Sequence, residues 1–368
     1  MSKQEKQKDS LKYFGVLRIS AAILLSLAIV FIIILLVSQE PLLAIRKMMF
    51  GPFESKRNFF NVLERSIPLI FSALALNIVL RSGVFSIAAD GSFYMGAVVA
   101  TAVACKISLP NIVHQCLLLV TAGIVGGLIS AIPIWLNKIT KVDATVLSIM
   151  FNSIFYYLGY SIVSSFLLEK SGQWGSSYFP DTAKLGKMVE GTSLHWGFVI
   201  MILVMVLVVI LMEKSSIGYK IRLAGMNASC AKTAGIKVGK VVLGAAFISG
   251  IVAGVGGAVQ MVGTYKRFQW QSPVNYVWDG LMIHMMASGN PLYIPIAAVF
   301  IAYLRVGSEI MSRATDLDNE IVAFFQCIMI LLVVSENFLG KLKAKREREN
   351  VLRQVEEKEE NKQGGECA

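Results

Sequence analysis

Two short stretches of this 368-residue chain set an acid beside a glycine inside otherwise apolar sequence. The first is Ser82-Gly-Val-Phe-Ser-Ile-Ala-Ala-Asp-Gly-Ser92, which holds Ser86 and Asp90; the second is Trp278-Asp279-Gly280, with Gly289-Asn290-Pro291 close behind. Polar groups in hydrocarbon are costly, so they face a bundle interior or a solute path. The chemistry open to them is recognition, by hydrogen bonding a polar solute or holding an ion. Breaks of this kind in corresponding places of two halves are the pattern expected of a solute site near a membrane midplane. Each Asp-Gly pair equally fits a helix start with Asp as its N-cap, and the two roles are compatible. Asn152, in Met150-Phe-Asn-Ser-Ile154, stands mid-run and either hydrogen-bonds a solute or joins two helices. Asn77, His284, Glu309 and Gln326 read as packing or interfacial groups.

Catalysis, metal binding and nucleotide binding find no carrier in the sequence. The five cysteines (Cys105, Cys116, Cys230, Cys327, Cys367) lack metal spacing, and the three histidines (His114, His195, His284) are scattered. Cys105 and Cys116 flank one short loop, where a bridge is an alternative to two buried thiols. Ala228-Ser-Cys-Ala-Lys-Thr233 mimics the end of a phosphate-binding loop, but Ala231 and Met226 stand where that loop needs glycine. The chain is therefore expected to be no enzyme and to need no metal or cofactor.

The elements that must position these groups are membrane spans. The chain is 55% hydrophobic and 16% charged, with mean hydropathy +0.63; a soluble domain carries about a quarter charged residues. The net charge of +11 sits in loops and tails, as the positive-inside bias requires, and no soluble basic domain is present for nucleic acid. A span needs about 20 apolar residues. Candidate runs are 18–38, 67–81, 86–105, 112–136, 145–168, 195–212, 241–263, 277–290, 292–310 and 319–338, which predicts an all-α polytopic membrane protein of about ten spans. The run from Ile19 is too long for a signal-peptide core and lacks a small-x-small cleavage site, so it is read as a retained span.

An even number of spans puts the basic N-tail, residues 1–17, and the charged C-tail, residues 341–368, on one side, the cytoplasm, with the membrane domain over 18–340. The loop 39–66 then falls outside despite Arg46, Lys47, Lys56, Arg57 and Arg65, which predicts an amphipathic helix lying on the outer surface. The loop 169–194 is also external and long enough for a gate or docking face.

Between the runs ending at Met212 and starting at Val241 lies a basic, glycine-containing island, Gly218 to Gly235, with Lys220, Arg222 and Lys232. It is expected at the cytoplasmic surface, helical, and suited to docking a partner. Just after it, Ser249-Gly-Ile-Val-Ala-Gly-Val-Gly-Gly257 is a small-residue seam, which lets a neighbouring helix approach closely.

These stretches together carry a resemblance. Gly218, Arg222, Gly225 and Asn227, then Ala234-Gly235-Ile236, then Ser249-Gly250 with Ala253-Gly254 resemble the docking loop and seam of bacterial ABC importer permeases for ribose-type sugars and nucleosides. Gly83 to Ser92, Thr145 to Asn152, and Asp279-Gly280 with Gly289-Asn290-Pro291 resemble the nucleoside branch. Ser86, Ala88, Asp90 and Ser92 depart from that branch's Asn, Gly, Glu and Gln. The resemblance spans about residues 60–338.

The resemblance implies the ABC permease fold with a pseudo-repeated core (spans 2–5 and 7–10). It also implies a solute path near Ser86, Asp90, Asn152 and Asp279, and a coupling loop over about 213–240. Implied partners are a cytoplasmic ABC ATPase, a second and related permease, an extracellular solute-binding lipoprotein and membrane lipid, with no nucleic acid. The implied cargo is a nucleoside; a ribose-type sugar or riboflavin is the alternative. From another class, a stand-alone secondary transporter would use Asp90 or Asp279 as its ion or proton site. A regulatory membrane protein would recruit a partner through its tail.

Overall fold

The computed structural model describes residues 24–25, 27–107, 109–169, 174–316, 324 and 327–328. The N-tail, Gln326, nearly all of the run expected at 319–338, and the C-tail lie outside the described residues. The chain separates into two compact units, one of residues 46–310 and one of residues 1–45 with 311–368.

In the unit of residues 1–45 with 311–368, an apolar helix α1 (Leu27–Val37) is described. The turn after it is held by Asp316, whose Oδ2 accepts from the Gln39 N–H at 3.1 Å and whose Oδ1 accepts from Ser38 Oγ at 2.9 Å. These bonds, the Gln39 N–H foremost, hold the Asp316 carboxyl below its ordinary value.

Among the described residues, six helices are long and apolar enough to cross a membrane. They are α3 (Lys56–Leu80), α5 (Asn111–Thr140), α6 (Ala144–Leu167, its last turn π-helical), α7 (Gly197–Lys214), α10 (Val238–Thr264) and α12 (Ile294–Ala314). Four shorter or more polar helices lie between them: α4 (Ala89–Lys106), α8 (Ser216–Met226), α9 (Ala228–Thr233) and α11 (Tyr276–Met286). Each expected run from 67–81 to 292–310 falls on one helix. With 11 residues, α11 rises about 17 Å and cannot cross the hydrocarbon alone.

The segment expected as one helix on the outer surface divides in two. Helix α2 (Pro41–Glu54) buries Ala44, Met48, Gly51 and Pro52 at helical spacing. Residues 56–66 instead form the first turns of α3, eleven residues before the apolar run begins. The bundle accepts their charges because partners wait inside it. Glu64 is 4% exposed and accepts from Thr264 Oγ1 at 2.6 Å, while Arg65 pairs with Glu309 at 2.9 Å.

The small-residue seam does what its spacing predicts. On α10, Gly254 meets Gly96 of α4 and Gly126 of α5 so closely that a Cβ on Gly126 would stand 2.9 Å from the Gly254 Cα. Glycine is the residue that allows such backbone contact. The second half has a counterpart, since a Cβ on Gly280 of α11 would stand 2.8 Å from the Ala73 N of α3. Two non-helical breaks result, residues 81–88 between α3 and α4, and residues 265–275 between α10 and α11. Helix ends gather at two poles. Arg81, Lys138, Glu213, Gly225, Gly239 and Gly289 mark the pole of the island, while the loop after α6 covers the other. At the loop pole Cys105 and Cys116 are both free thiols.

Candidate functional site

Broken backbone inside an apolar bundle must find hydrogen-bond partners, since an unpaired buried group costs about 1–3 kcal/mol. At the first break a polar stripe of α6 supplies them. Thr145 Oγ1 donates to Phe85 O at 3.1 Å, and Ser148 Oγ accepts from Ile87 N–H at 3.1 Å. Asn152 serves both polarities: its Nδ2 donates to Ile87 O at 2.9 Å and its Oδ1 accepts from Gly91 N–H at 3.1 Å. Of the two roles open to Asn152, this geometry realises the joining of two helices. Ser86 is buried and accepts a long 3.4 Å bond from Ala88 N–H.

Beside this break lies a cavity of about 260 Å³ walled by α4, α6 and the start of α11. Asp90, in the first turn of α4, lines it together with Tyr94, Asn152, Tyr156, Tyr157 and Trp278. The Asp90 carboxylate lies against the Val277 backbone N–H, so the N-termini of α4 and α11 meet at it. Its Oδ1 is buried and has no hydrogen-bond partner among the described residues. Tyr94 anchors an aromatic wall, with ring centroids 4.9 Å from Tyr156, 5.8 Å from Phe268 and 6.2 Å from Trp270. Ser86 and Asp279 do not line this cavity.

The second break is held differently. Tyr156 Oη donates to Gln271 O at 2.6 Å. The covering loop contributes Ser176, whose N–H donates to Phe268 O and whose Oγ accepts from Phe268 N–H, both at 3.0 Å. Asp279 faces away from the cavity into an ion pair with Arg305 of α12 at 2.6 Å. Neither acid is the N-cap expected from the sequence: Ala88 and Asn275 hold those positions, and Asp90 and Asp279 lie in the first turns, where they serve different neighbours.

The island is a bent pair of helices. Ser215 caps α8 by accepting from Gly218 N–H at 3.0 Å. Asn227 caps α9, its Oδ1 accepting from Ser229 N–H at 3.0 Å and Cys230 N–H at 3.1 Å. Ala234 ends α9, and Gly235, at φ +77°, closes it with bonds from Gly235 N–H to Lys232 O and from Ile236 N–H to Ala231 O.

Gly225 lies within α8 rather than in a turn; a Cβ there would overlap the Arg81 carbonyl and reach 2.9 Å from Gly83 N. Gly218 likewise lies against the Leu211 and Met212 carbonyls. Arg222 turns inward, donating to Glu213 Oε2 at 2.8 Å and to Met212 O. The outward face presents Ile217, Tyr219, Lys220 and Met226 of α8, with Ser229, Cys230 and Lys232 of α9.

Residues 58–334 match the family model described as the branched-chain amino acid transport system / permease component. This chain belongs to that permease family. The glucose ABC transporter permease of Haloferax volcanii is 25% identical over 87% of this chain and 87% of its own. The guanosine ABC transporter permease of Bacillus subtilis is 28% identical over 76% of this chain and 82% of its own. The nucleoside ABC transporter permease of Lactococcus lactis is 22% identical over 85% and 90%. The chain is a membrane-spanning ABC transporter permease.

Of the four residues the sequence places near a solute path, Asp90 and Asn152 line the cavity of this permease, while Tyr94, Tyr156, Trp278, Glu213, Arg81 and Arg305 were not singled out. A signal for Tyr156 was present: Thr145, Ser148, Asn152 and Tyr156 recur at helical spacing and make one face of α6. Glu213 reads in sequence as the ordinary end of an apolar run. Its partner Arg81 is 132 residues away, and no local pattern reports that.

Proposed function

We propose that this permease imports a nucleoside, held transiently in the cavity between α4, α6 and α11. The observation that carries the reading is the pairing, in one cavity, of an unpartnered buried carboxylate oxygen on Asp90 with the rings of Tyr94, Tyr156, Tyr157 and Trp278. A nucleobase offers what such a site lacks, flat faces for the rings and N–H donors for the carboxylate. Stacking a base on an aromatic side chain contributes about 1–3 kcal/mol. The guanosine and nucleoside permeases among the relatives favour the same cargo. The glucose permease favours a sugar, whose hydroxyls would also donate to Asp90.

In this reading the membrane domain covers residues 18–340 with about ten spans, both tails are cytoplasmic, and the island pole faces the cytoplasm. The two breaks are counterparts in an inverted repeat, which the crossed packing of α10 on α4 and α11 on α3 supports. A separate ATPase docks on the outward face of α8 and α9, a second permease completes the pathway, and an extracellular binding lipoprotein delivers solute to the loop pole. Gly218, Arg222, Gly225, Asn227, Ala234 and Gly235 shape that docking face and hold it to the bundle.

Uptake of labelled nucleosides, pentoses and glucose by vesicles containing the whole complex tests the reading. Nucleoside uptake that stops on ATP depletion is expected. Preferential uptake of sugars moves the cargo to the alternative class. Transport by the purified chain alone in ATP-free liposomes would refute the coupled mechanism.

A further inference from the structure

The island is joined to the bundle in two physically different ways. The first is contact: the end of α8 abuts the first break, Gly225 on Arg81 and Gly83, with no side chain between. Contact of this kind transmits a push and resists no pull. The second is ionic. Glu213, at the end of α7, receives Arg222 from α8 on Oε2 at 2.8 Å and Arg81 from the end of α3 on Oε1 at 2.6 Å. Arg222 also donates to Met212 O, and Ser215 Oγ donates to Leu211 O at 2.6 Å, so α7 and α8 form a braced hook.

Arg81 does more than close the cluster. While Nη1 holds Glu213, its Nε donates to Gly289 O at 3.0 Å, in the turn between α11 and α12. Asn77 Nδ2 donates to the same oxygen at 2.8 Å and meets His284 Nδ1 at 3.1 Å, which steadies that turn against α3. Gly289 has φ +70°, so its carbonyl direction is set by a backbone conformation other residues rarely adopt. One guanidinium therefore touches the hook on one side and the α11–α12 turn on the other, while the backbone of the same residue meets α8 at the first break.

We propose that Arg81 is a positioning residue that ties the α7–α8 hook to the α11–α12 turn, so that displacement of the island moves both halves of the permease together. The planar fork of arginine suits the task, since a lysine is a point charge that cannot reproduce the two directions at once. A permease without the tie keeps its docking surface and loses the transfer of motion to the second half. This inference rests on the reading of the island as the ATPase-docking face.

The test reads the two ends of the tie separately, in the assembled transporter. Exposed Cys230 of α9 reports on the island, and Leu292→Cys, at an exposed position after Gly289, reports on the turn, with the other cysteines changed to serine. Maleimide labelling is followed with and without ATP. In the parent, ATP is expected to change labelling at both positions. In Arg81→Ala the change at Cys230 persists, the change at Leu292→Cys is lost, and uptake falls about tenfold. Arg81→Lys, which keeps the charge on Glu213, assembles like the parent and is not restored.

Persistence of the ATP-dependent change at Leu292→Cys in Arg81→Ala, or full uptake by Arg81→Lys, overturns the tie and leaves the docking reading standing. Absence of an ATP-dependent change at Cys230 in the parent overturns the docking reading, and the tie with it.

Discussion

At the first break the Asp90 carboxylate lies against the Val277 N–H and borders a cavity; at the second, Asp279 is neutralised by Arg305 at 2.6 Å. Both acids lie in the first turn of a helix, each is followed by glycine, and both sit where an apolar run is interrupted. What separates them is the neighbour. At the first break, Thr145, Ser148 and Asn152 of α6 satisfy the backbone and leave the acid to the cavity. At the second, a covering loop and Tyr156 satisfy the backbone, and the acid is held by α12. One dipeptide thus places a carboxylate at a cavity in one half and builds an ion pair in the other.

Five substitutions probe that contrast, beginning with the acids themselves. Asp279→Ala leaves Arg305 without this partner in the bundle and is expected to cost about 3 kcal/mol of stability, seen as poor assembly in detergent. Asp90→Ala should assemble as well as the parent while nucleoside uptake drops about tenfold. An Asp90→Ala permease that transports normally, or an Asp279→Ala permease that assembles normally and loses only transport, would reverse the two roles.

Next in size is Asn152→Ala. It strands Gly91 N–H and leaves Ile87 O with only the Asp90 N–H at 3.1 Å, at about 2 kcal/mol in thermal unfolding of the purified permease. Ser148→Ala removes the single bond to Ile87 N–H and is expected to cost about 1 kcal/mol in the same measurement.

The smallest effect belongs to Asp143, the exposed N-cap of α6, the helix that serves both breaks. The Thr145 hydroxyl first, and backbone N–H groups with it, hold the Asp143 carboxyl below its ordinary value of 3.8. A carboxyl lowered in the folded state adds stability that is present above its unfolded value and lost as pH falls through its folded one. Asp143→Ala should therefore lower the melting temperature slightly at neutral pH, with the difference shrinking once the pH drops below about 4.

The helices were largely legible because their apolar runs are long and because hydrocarbon leaves a backbone few alternatives. Their starts were less so. Residues 56–66 read as a surface segment, since Glu64 and Arg65 look too polar for a span until Thr264 and Glu309 are seen beside them. The island was legible as a helical surface element, but the direction of Arg222 was not. A basic residue in a basic loop reads as outward-facing; Glu213 turns it inward.

From the sequence alone came the membrane class, the seam of small residues and the paired breaks. All of these are written in local composition and spacing, where desolvation and helix geometry act on neighbours along the chain. Only the tertiary structure decided which acid meets the cavity, which amide is consumed in holding backbone, and which arginine joins the island to the α11–α12 turn. Those outcomes depend on partners 26 to 208 residues apart, such as Asp279 with Arg305 and Arg81 with Gly289. An electrostatic or hydrogen-bond contact is set by distance in space, so it becomes readable only once the helices have packed.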